Sequence, residues 1–533
     1  MRYDQHYPSI PHVVCSAAER FGDAPAIVDG ARRYSFTELE DRMVDAIRAT
    51  IALGIEPGDR VGLCAPNSAE WIIGALGILG AGGVIVPLNT RFKSGELSYI
   101  LRKSGAKALL ASSFLDNDYI ADLQKADPDL PALRSTVSIL GPVGAAGLSW
   151  REFLDGGQSV PRAQAEESIG RQTPDTVSDV KYTSGTTGHP KGVVLTHGQS
   201  LRAYGWMGQE YTFGPSDSFL IIPPFFHCFG YKAGWLASFI HGVTVIPMAV
   251  FDACEALEII SRERVSILLG PPTIFSDLLN HPRRAEFDLS SLRVSMTGGT
   301  TIPEPLVHAM KRSLSFDIVL SAYGLTEASA LVTTTRIGDS EQTVAATSGR
   351  AIPGIEVRIV DELGADVGDP TSPGEILVRG YTVTRGYWDD PEATASVIDD
   401  EGWLHTGDVG MLDADGNLAI VDRKKEMYIV GGFNAYPAEI EKILLGFAPI
   451  QQVAVIGVPD ERLGEVGCAF VVLHPGHRQD AAVATTEYDV IAWARKNMAN
   501  FKVPRHVRLV ERLPRNASQK ILKDELRAQI NVR

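Results

Sequence analysis

Cysteine is scarce: five occur in 533 residues, at Cys15, Cys64, Cys228, Cys254 and Cys468. Their odd number, wide spacing and lack of a CxxC pair exclude a disulfide framework and a thiolate zinc site, and suit a reducing cytoplasm. A basic excess is also missing. Lys and Arg total 50 against 65 Asp and Glu, a formal net charge of −15, so no general nucleic-acid or anionic-membrane surface is expected. Long apolar runs are lacking apart from one uncharged stretch, Trp71 to Leu88, whose 18 residues just reach membrane-span length. It contains Gly74, Gly77, Gly80, Gly82, Gly83 and Pro87, and divides into a buried helix, a glycine turn and a short strand, Val84 to Val86, with no integral membrane association. The opening MRYDQHYPSIPH lacks the basic-then-apolar order of a signal peptide. No internal repeat or low-complexity tract occurs, and 44% apolar with 22% charged residues excludes disordered and fibrous classes.

What is present is too long for one core, since domains cluster at roughly 100 to 200 residues. The first hundred residues alternate. Ser35 and Glu38 form a capping box; Leu39, Met43, Ile47 and Ile51 then recur every four residues, and Gly54 sits where a helix ends. Strand-like Val61 to Cys64, a helix near Ser68 to Leu79, the strand at Val84, a helix from Gly95 to Lys103 and strand-like Ala108 to Leu110 follow. That order predicts βαβ units in a mainly parallel sheet, hence an α/β fold. Between about Asp127 and Thr176 the pattern dissolves into Pro, Gly, Ala and Ser, which predicts a loop-rich connection. EVRIV and EILVRG, between Glu356 and Arg379, predict antiparallel pairing.

The charged run Asp422 to Glu426 separates strand-like Leu418 to Val421 from strand-like Met427 to Val430. Such runs are usually solvated turns, but the position of this one also suits a boundary between a large domain over 1–422 and a small α+β domain with strands Val453 to Val458 and Phe470 to Leu473. Residues 1–422 carry 33 basic and 53 acidic side chains, whereas 423–533 carry 17 and 12. The small domain is therefore cationic and the large one anionic.

The strongest local signal is Tyr182 to Gly192, YTSGTTGHPKG. Thr183, Ser184, Gly185, Thr186, Thr187 and Gly188 would bring hydroxyls and bare backbone to a ligand, and Lys191 adds positive charge, the makings of a phosphate cradle; composition alone equally allows an ordinary flexible surface loop. It is not a Walker loop, because Pro190 and Gly192 flank the lysine.

That run, YGLTE at Tyr323 to Glu327, GWLHTGD at Gly402 to Asp408, DRKKEMYIVGGFNAYPAEIE from Asp422 and LPRNASQKIL ending at Leu522 together resemble the adenylate-forming superfamily of acyl-CoA synthetases. The resemblance spans nearly the whole chain. It implies the adenylate-forming enzyme fold, a large N-terminal domain of packed sheets and helices with a small mobile C-terminal lid, and ATP, Mg²⁺ and CoA as cofactor and co-substrates. By this resemblance Tyr323 would stack on adenine, with Gly298, Gly299 and Gly324 leaving room for the nucleotide. Thr326 would donate to a phosphate oxygen and Glu327 would hold Mg²⁺, which takes one or two carboxylates plus phosphates. Asp408, acceptor-only with two oxygens, and Arg423 would meet the ribose. The resemblance also implies a hinge over 423–426, with the small domain over 427–533, and Lys425 would be the pivot of the lid. Lys520 would be the catalytic lysine between the substrate carboxylate and the α-phosphate, and Gly431 with Gly432 would line the CoA tunnel once the lid has turned. Gly298 to Thr301, GGTT, and Gln519, where relatives carry glycine, depart from the family pattern.

PPFFHCFGYKAG, Pro223 to Gly234, lies where relatives build the acyl pocket. Phe226, His227, Phe229, Gly299 and Tyr323 would line it, with His227 at the reacting end as a gate and not an acid or base. A histidine between Phe226 and Cys228 is, on its own, more often a satisfied core residue. No aspartate stands here to meet a substrate amine, so a simple carboxylic acid is expected. The chain ends at Arg533 without a carrier module, so free CoA is the expected acceptor. FHCFGYKAGWLASFIHGVTVIP, GPPTIFSDLLNHP, FDLSSLR and GVPDERLGEVGCAFVV are similar to actinobacterial CoA ligases of steroid breakdown acting on the methylhexahydroindanedione propionate left from the cholesterol C and D rings. Medium- or long-chain fatty acids and coumarate-like aryl acids are the alternative substrates. Delivery to a separate carrier protein and a non-catalytic nucleotide-binding scaffold are the alternative functions. A homo-oligomer is compatible with the sequence, and acetylation of Lys520 by a lysine acetyltransferase is a modification the resemblance implies.

Overall fold

The computed structural model describes the chain except residues 1, 116, 142–146, 184–189, 299–301, 371, 424–425, 431–432, 479–483, 517–520 and 531–533; residues 423, 433 and 434 are described by backbone alone. Ser184, Gly185, Thr186, Thr187, Gly188, Gly299, Lys425, Gly431, Gly432 and Lys520 therefore lie outside the described residues.

Two mainly parallel sheets form the body. One has nine strands, with Ile318–Tyr323, Val294–Gly298, Ile267–Gly270, Ser218–Ile221, Thr244–Pro247 and Pro25–Asp29 adjacent and parallel. The other, of eight, runs from the antiparallel hairpin Lys191–Thr196 and Val177–Thr183 through Val84–Pro87, Arg60–Cys64, Ala108–Phe114 and Ser135–Leu140 in parallel. Helices cover both sheets, and the largest apolar core includes Trp71, Trp235, Phe225 and Phe239. A four-stranded antiparallel sheet follows, Ile355–Val360, Gly374–Gly380, Leu404–Leu412 and Leu418–Arg423. The C-terminal part builds its own five-stranded sheet around Ile450–Asp460 and Gly464–Leu473, with a separate core at Tyr428, Val455 and Val471. This is a mixed α/β molecule with a large N-terminal and a small C-terminal domain.

The expected βαβ alternation is present. Ser35 and Glu38 cap the helix Phe36–Ala52 reciprocally, and Gly54 follows it at φ +77°. The uncharged stretch becomes the fully buried helix Ala69–Gly80, capped by Ser68, then the strand Val84–Pro87. Its glycines have a packing reason. A Cβ on Gly77 would stand 2.7 Å from Ala46 Cβ, and one on Gly80 would strike the Ile47 side chain, so the two helices press backbone to backbone. No helix among the described residues is long and apolar enough to cross a membrane.

The loop-rich expectation for 127–176 is corrected. That segment holds the strand Ser135–Leu140 and the helices Trp150–Gly156 and Arg162–Gly170. Both helices are too short for their periodicity to stand out. They are stabilised by a Ser149–Glu152 capping box and by packing on the helix Phe36–Ala52, where a Cβ on Gly157 would lie 2.6 Å from Ala49 N.

Candidate active site

The hairpin flanking the glycine- and threonine-rich run pairs Thr183 with Lys191, so the strands on either side of that run end next to each other. The Thr183 hydroxyl donates to Glu327 Oε1 at 3.4 Å, and the Tyr387 hydroxyl donates to the same oxygen at 3.1 Å. Lys191 Nζ lies 5.1 Å from the Tyr387 ring centroid, within cation–π range. One aromatic side chain thus stands between the cation and the carboxylate expected to meet phosphate and metal. Burial, then the proximity of Glu327, raises the Tyr387 pKa, which keeps its hydroxyl a donor.

Tyr387 was not singled out from sequence. The RGYWDD run carries no motif logic of its own, and the residue gains its place through tertiary pairing. Tyr387 bridges Val193, Trp388 N donates to Gly192 O at 2.6 Å, and Thr384 N donates to Glu327 O at 2.7 Å. The segment after the third sheet's second strand is thereby laced both to the hairpin expected to meet phosphate and to the backbone of the expected metal ligand.

Thr326 and Glu327 lie half-buried in a single turn, Thr326–Ala328. The chain leaves that turn through two left-handed non-glycine residues, Ser329 at φ +53° and Ala330 at φ +61°, each costing on the order of 1 kcal/mol. Ser329 is fully buried, its hydroxyl donates to Thr382 O at 2.9 Å, and its carbonyl accepts from Tyr204 OH at 2.7 Å. These contacts over-determine the strained turn and hold the carboxylate where it is. Gly324 is demanded by the same turn, because a Cβ there would lie 2.3 Å from the Ala330 carbonyl.

Tyr323 ends the strand Ile318–Tyr323, and its hydroxyl donates to Asp408 Oδ2 at 2.6 Å. Asp408 is buried in the strand Leu404–Leu412 and stands opposite Arg423 in register. The residues expected to meet adenine and ribose, Tyr323 and Asp408, are therefore brought together from two different sheets. Gly298 ends the neighbouring strand Val294–Gly298, but a Cβ there would meet Ala322 O at 2.7 Å. Its missing side chain is already required by strand packing, whatever room a base also needs.

His227 caps the short helix that opens after the Pro-Phe-Phe run; Phe226 and Cys228 beside it are buried, while its own side chain is exposed. That exposure disfavours the alternative of a core histidine. Its ring stands 5.4 Å from that of Phe226, with Phe229 half-buried beyond. Asn67 fixes the turn, its Oδ1 accepting from Phe225 N at 2.7 Å and its Nδ2 donating to Pro223 O at 3.0 Å.

The donor set fits Mg²⁺. Among the described residues no group of three or more His, Cys, Asp or Glu could cage a metal, and one hard carboxylate, Glu327, accepts from Thr183 of the hairpin. Such a lone carboxylate completed by substrate phosphates and water is the usual way Mg²⁺ is held.

Comparison with known proteins gives the family. The AMP-binding enzyme model matches residues 15–388, and the AMP-binding enzyme C-terminal domain model matches 439–520. The chain is 46% identical over 523 residues, 97% of its length and 98% of the relative's, to the 3-[(3aS,4S,7aS)-7a-methyl-1,5-dioxo-octahydro-1H-inden-4-yl]propanoyl:CoA ligase of Rhodococcus jostii. It is 47% identical to the ligase of the same name from Mycobacterium tuberculosis, covering 97% of this chain and 98% of that one. A bovine mitochondrial medium-chain acyl-CoA ligase is 33% identical, over 97% of this chain and 86% of its own. Among solved structures, an anthranilate CoA ligase in complex with anthranoyl-AMP superposes with TM-score 0.85 at 26% identity, covering 98% and 97% of the two chains. ATP-bound MatB from Rhodopseudomonas palustris superposes with TM-score 0.84 at 28% identity, covering 98% and 99%. With both halves of the fold matched and the site residues converging as they do, the chain belongs to the AMP-binding enzyme family.

Proposed function

We propose that this protein is an AMP-forming acid:CoA ligase, and that its acid is the propionate side chain of a steroid-derived indanedione. The carrying observation for the chemistry is the convergence of Thr183, Lys191, Tyr387 and Glu327 around the phosphate hairpin. For the substrate it is the 46% and 47% identity to two ligases of that acid, against 33% for the medium-chain ligase.

In the first half-reaction the substrate carboxylate attacks the α-phosphorus of ATP and pyrophosphate leaves; in the second, the CoA thiol attacks the acyl carbon and AMP leaves. Lys191 and the loop 184–189 would cradle the phosphates, and Glu327 with Thr326 would hold the metal and a phosphate oxygen. Bound Mg²⁺ supplies charge neutralisation on the phosphates. Tyr323 and Gly324 would flank adenine, Asp408 and Arg423 the ribose, and Phe226, His227 and Phe229 the acid. Lys520 would meet the charge that builds between carboxylate and α-phosphate. We take 1–422 as the acid- and nucleotide-binding domain, 423–426 as the hinge pivoting at Lys425, and 427–533 as the lid that brings Gly431 and Gly432 to the thiol. A cytoplasmic location fits five unpaired cysteines, and acetylation of Lys520, which would cancel its charge, is the proposed regulatory modification. Self-association is compatible with this reading.

Incubation with ATP, Mg²⁺, CoA and a panel of acids is expected to release AMP, with the indanedione propionate ahead of fatty and aryl acids in kcat/KM. ADP release with every acid would remove the ligase reading, and a fatty acid ranking first would reassign the substrate. Asp408→Asn is expected to raise the KM for ATP about ten-fold, the scale of one charged hydrogen bond. An unchanged KM would take Asp408 off the ribose.

A further inference from the structure

Beneath the acid turn lies a buried charged cluster that the chemistry above does not use. Asp179 and Lys232 are fully buried and pair at 3.3 Å. Apart from that ion pair, Lys232 Nζ and Asp179 Oδ1 have no hydrogen-bond partner among the described residues. Asp179 Oδ2 accepts from Ser178 Oγ at 2.6 Å. Lys181, only 4% exposed, points its amine 2.9 Å from the Phe226 carbonyl, and that amine stands 5.4 Å from the Tyr231 ring centroid. Lys232 Nζ lies 5.8 Å from the same ring. A desolvated lysine is costly unless it is held by good partners, so two of them under one turn call for a reason.

The strand Val177–Thr183 supplies it. Alternate residues point to one face of a strand, so Asp179, Lys181 and Thr183 project together. Asp179 holds Lys232 in the wide helical turn Tyr231–Leu236, Lys181 holds the carbonyl just before His227, and Thr183 holds Glu327. One strand face therefore sets the acid turn and the metal carboxylate in a common frame. We propose that Lys181 is a positioning residue for the carboxylic acid: through the Phe226 carbonyl it fixes the turn that presents Phe226 and His227 to the substrate at a set distance from the phosphate hairpin. This rests on the assignment of that turn to the acid pocket.

Lys181→Met keeps the stem and removes the donor. With the best acid of the panel, its KM for the acid is expected to rise about ten-fold or more, the scale of a charged hydrogen bond, while the KM for ATP and the Tm stay unchanged. An unchanged acid KM would overturn the proposal, and so would a matched rise in both KM values with a fall in Tm, which is the mark of general loosening. If Lys181→Met does not fold, Lys181→Gln, polar but too short to reach the carbonyl, decides on the same criteria. Failure of the wild type to turn over any acid would count against the ligase reading itself; turnover by the wild type with an unaffected variant would count only against the positioning role.

Discussion

Lys520→Ala is expected to slow acyl-adenylate formation by about 10² or more, the size of losing one preorganised donor to a charge-building transition state, while leaving thioester formation from supplied adenylate nearly intact. The asymmetry is the informative part. The attacking carboxylate and the α-phosphate are both anions, so the first half-reaction needs a cation between them; in the second, a neutral thioester forms as AMP departs and no such crowding of charge arises. Pyrophosphate release in single turnover reports the first half, and CoA consumption with synthetic adenylate reports the second. Equal loss of both would place Lys520 in general nucleotide binding and would remove the argument for a lid that exchanges groups between steps.

Glu327→Gln is expected to lower kcat/KM for ATP by about 10² to 10³ and to raise the Mg²⁺ concentration needed for half-maximal ATP binding, with little change in Tm. Glutamine keeps an acceptor oxygen for Thr183 and Tyr387, whose hydroxyls both donate to Glu327 Oε1, so the turn is preserved while the charge is lost. The Ser329–Ala330 exit, fixed through Ser329 by Thr382 and Tyr204, holds the turn's backbone without using the carboxylate. Mg²⁺-dependent ATP binding by calorimetry checks it apart from turnover. An unaltered Mg²⁺ requirement would assign the metal to another group.

Much of this was legible in the residues. Local rules sufficed where structure is local: the Ser35–Glu38 box, the glycine-broken run at Trp71 to Leu88 and the antiparallel pair EVRIV and EILVRG all appear as expected. They failed over 127–176, where helices of seven and nine residues are too short to show a period and owe their existence to the surface they cover. At the site, residue types could be assigned, but not who holds whom. Tyr387 meets Glu327 across 60 positions and Lys181 meets Phe226 across 45, and no spacing rule reaches that far. Gly298 has a reason no sequence pattern shows: the neighbouring strand's Ala322 carbonyl already forbids a Cβ there, whatever room a ligand also needs.

The hydrogen bond from Tyr323 to Asp408 joins the nine-stranded sheet to the four-stranded one. The strand paired with Asp408 ends at Arg423, and Asp422 beside it accepts from Ala438 N, at the start of the helix Pro437–Leu444 in the C-terminal domain, at 2.9 Å. The plane on which adenine would rest is thus tethered, through one carboxylate and one strand, to the first helix of the domain that would turn. On the proposed reading that chain of contacts would act as a mechanical linkage: rotation at the strand's end would pull on the tyrosine ring, and a seated nucleotide, by fixing the ring, would resist the rotation in return.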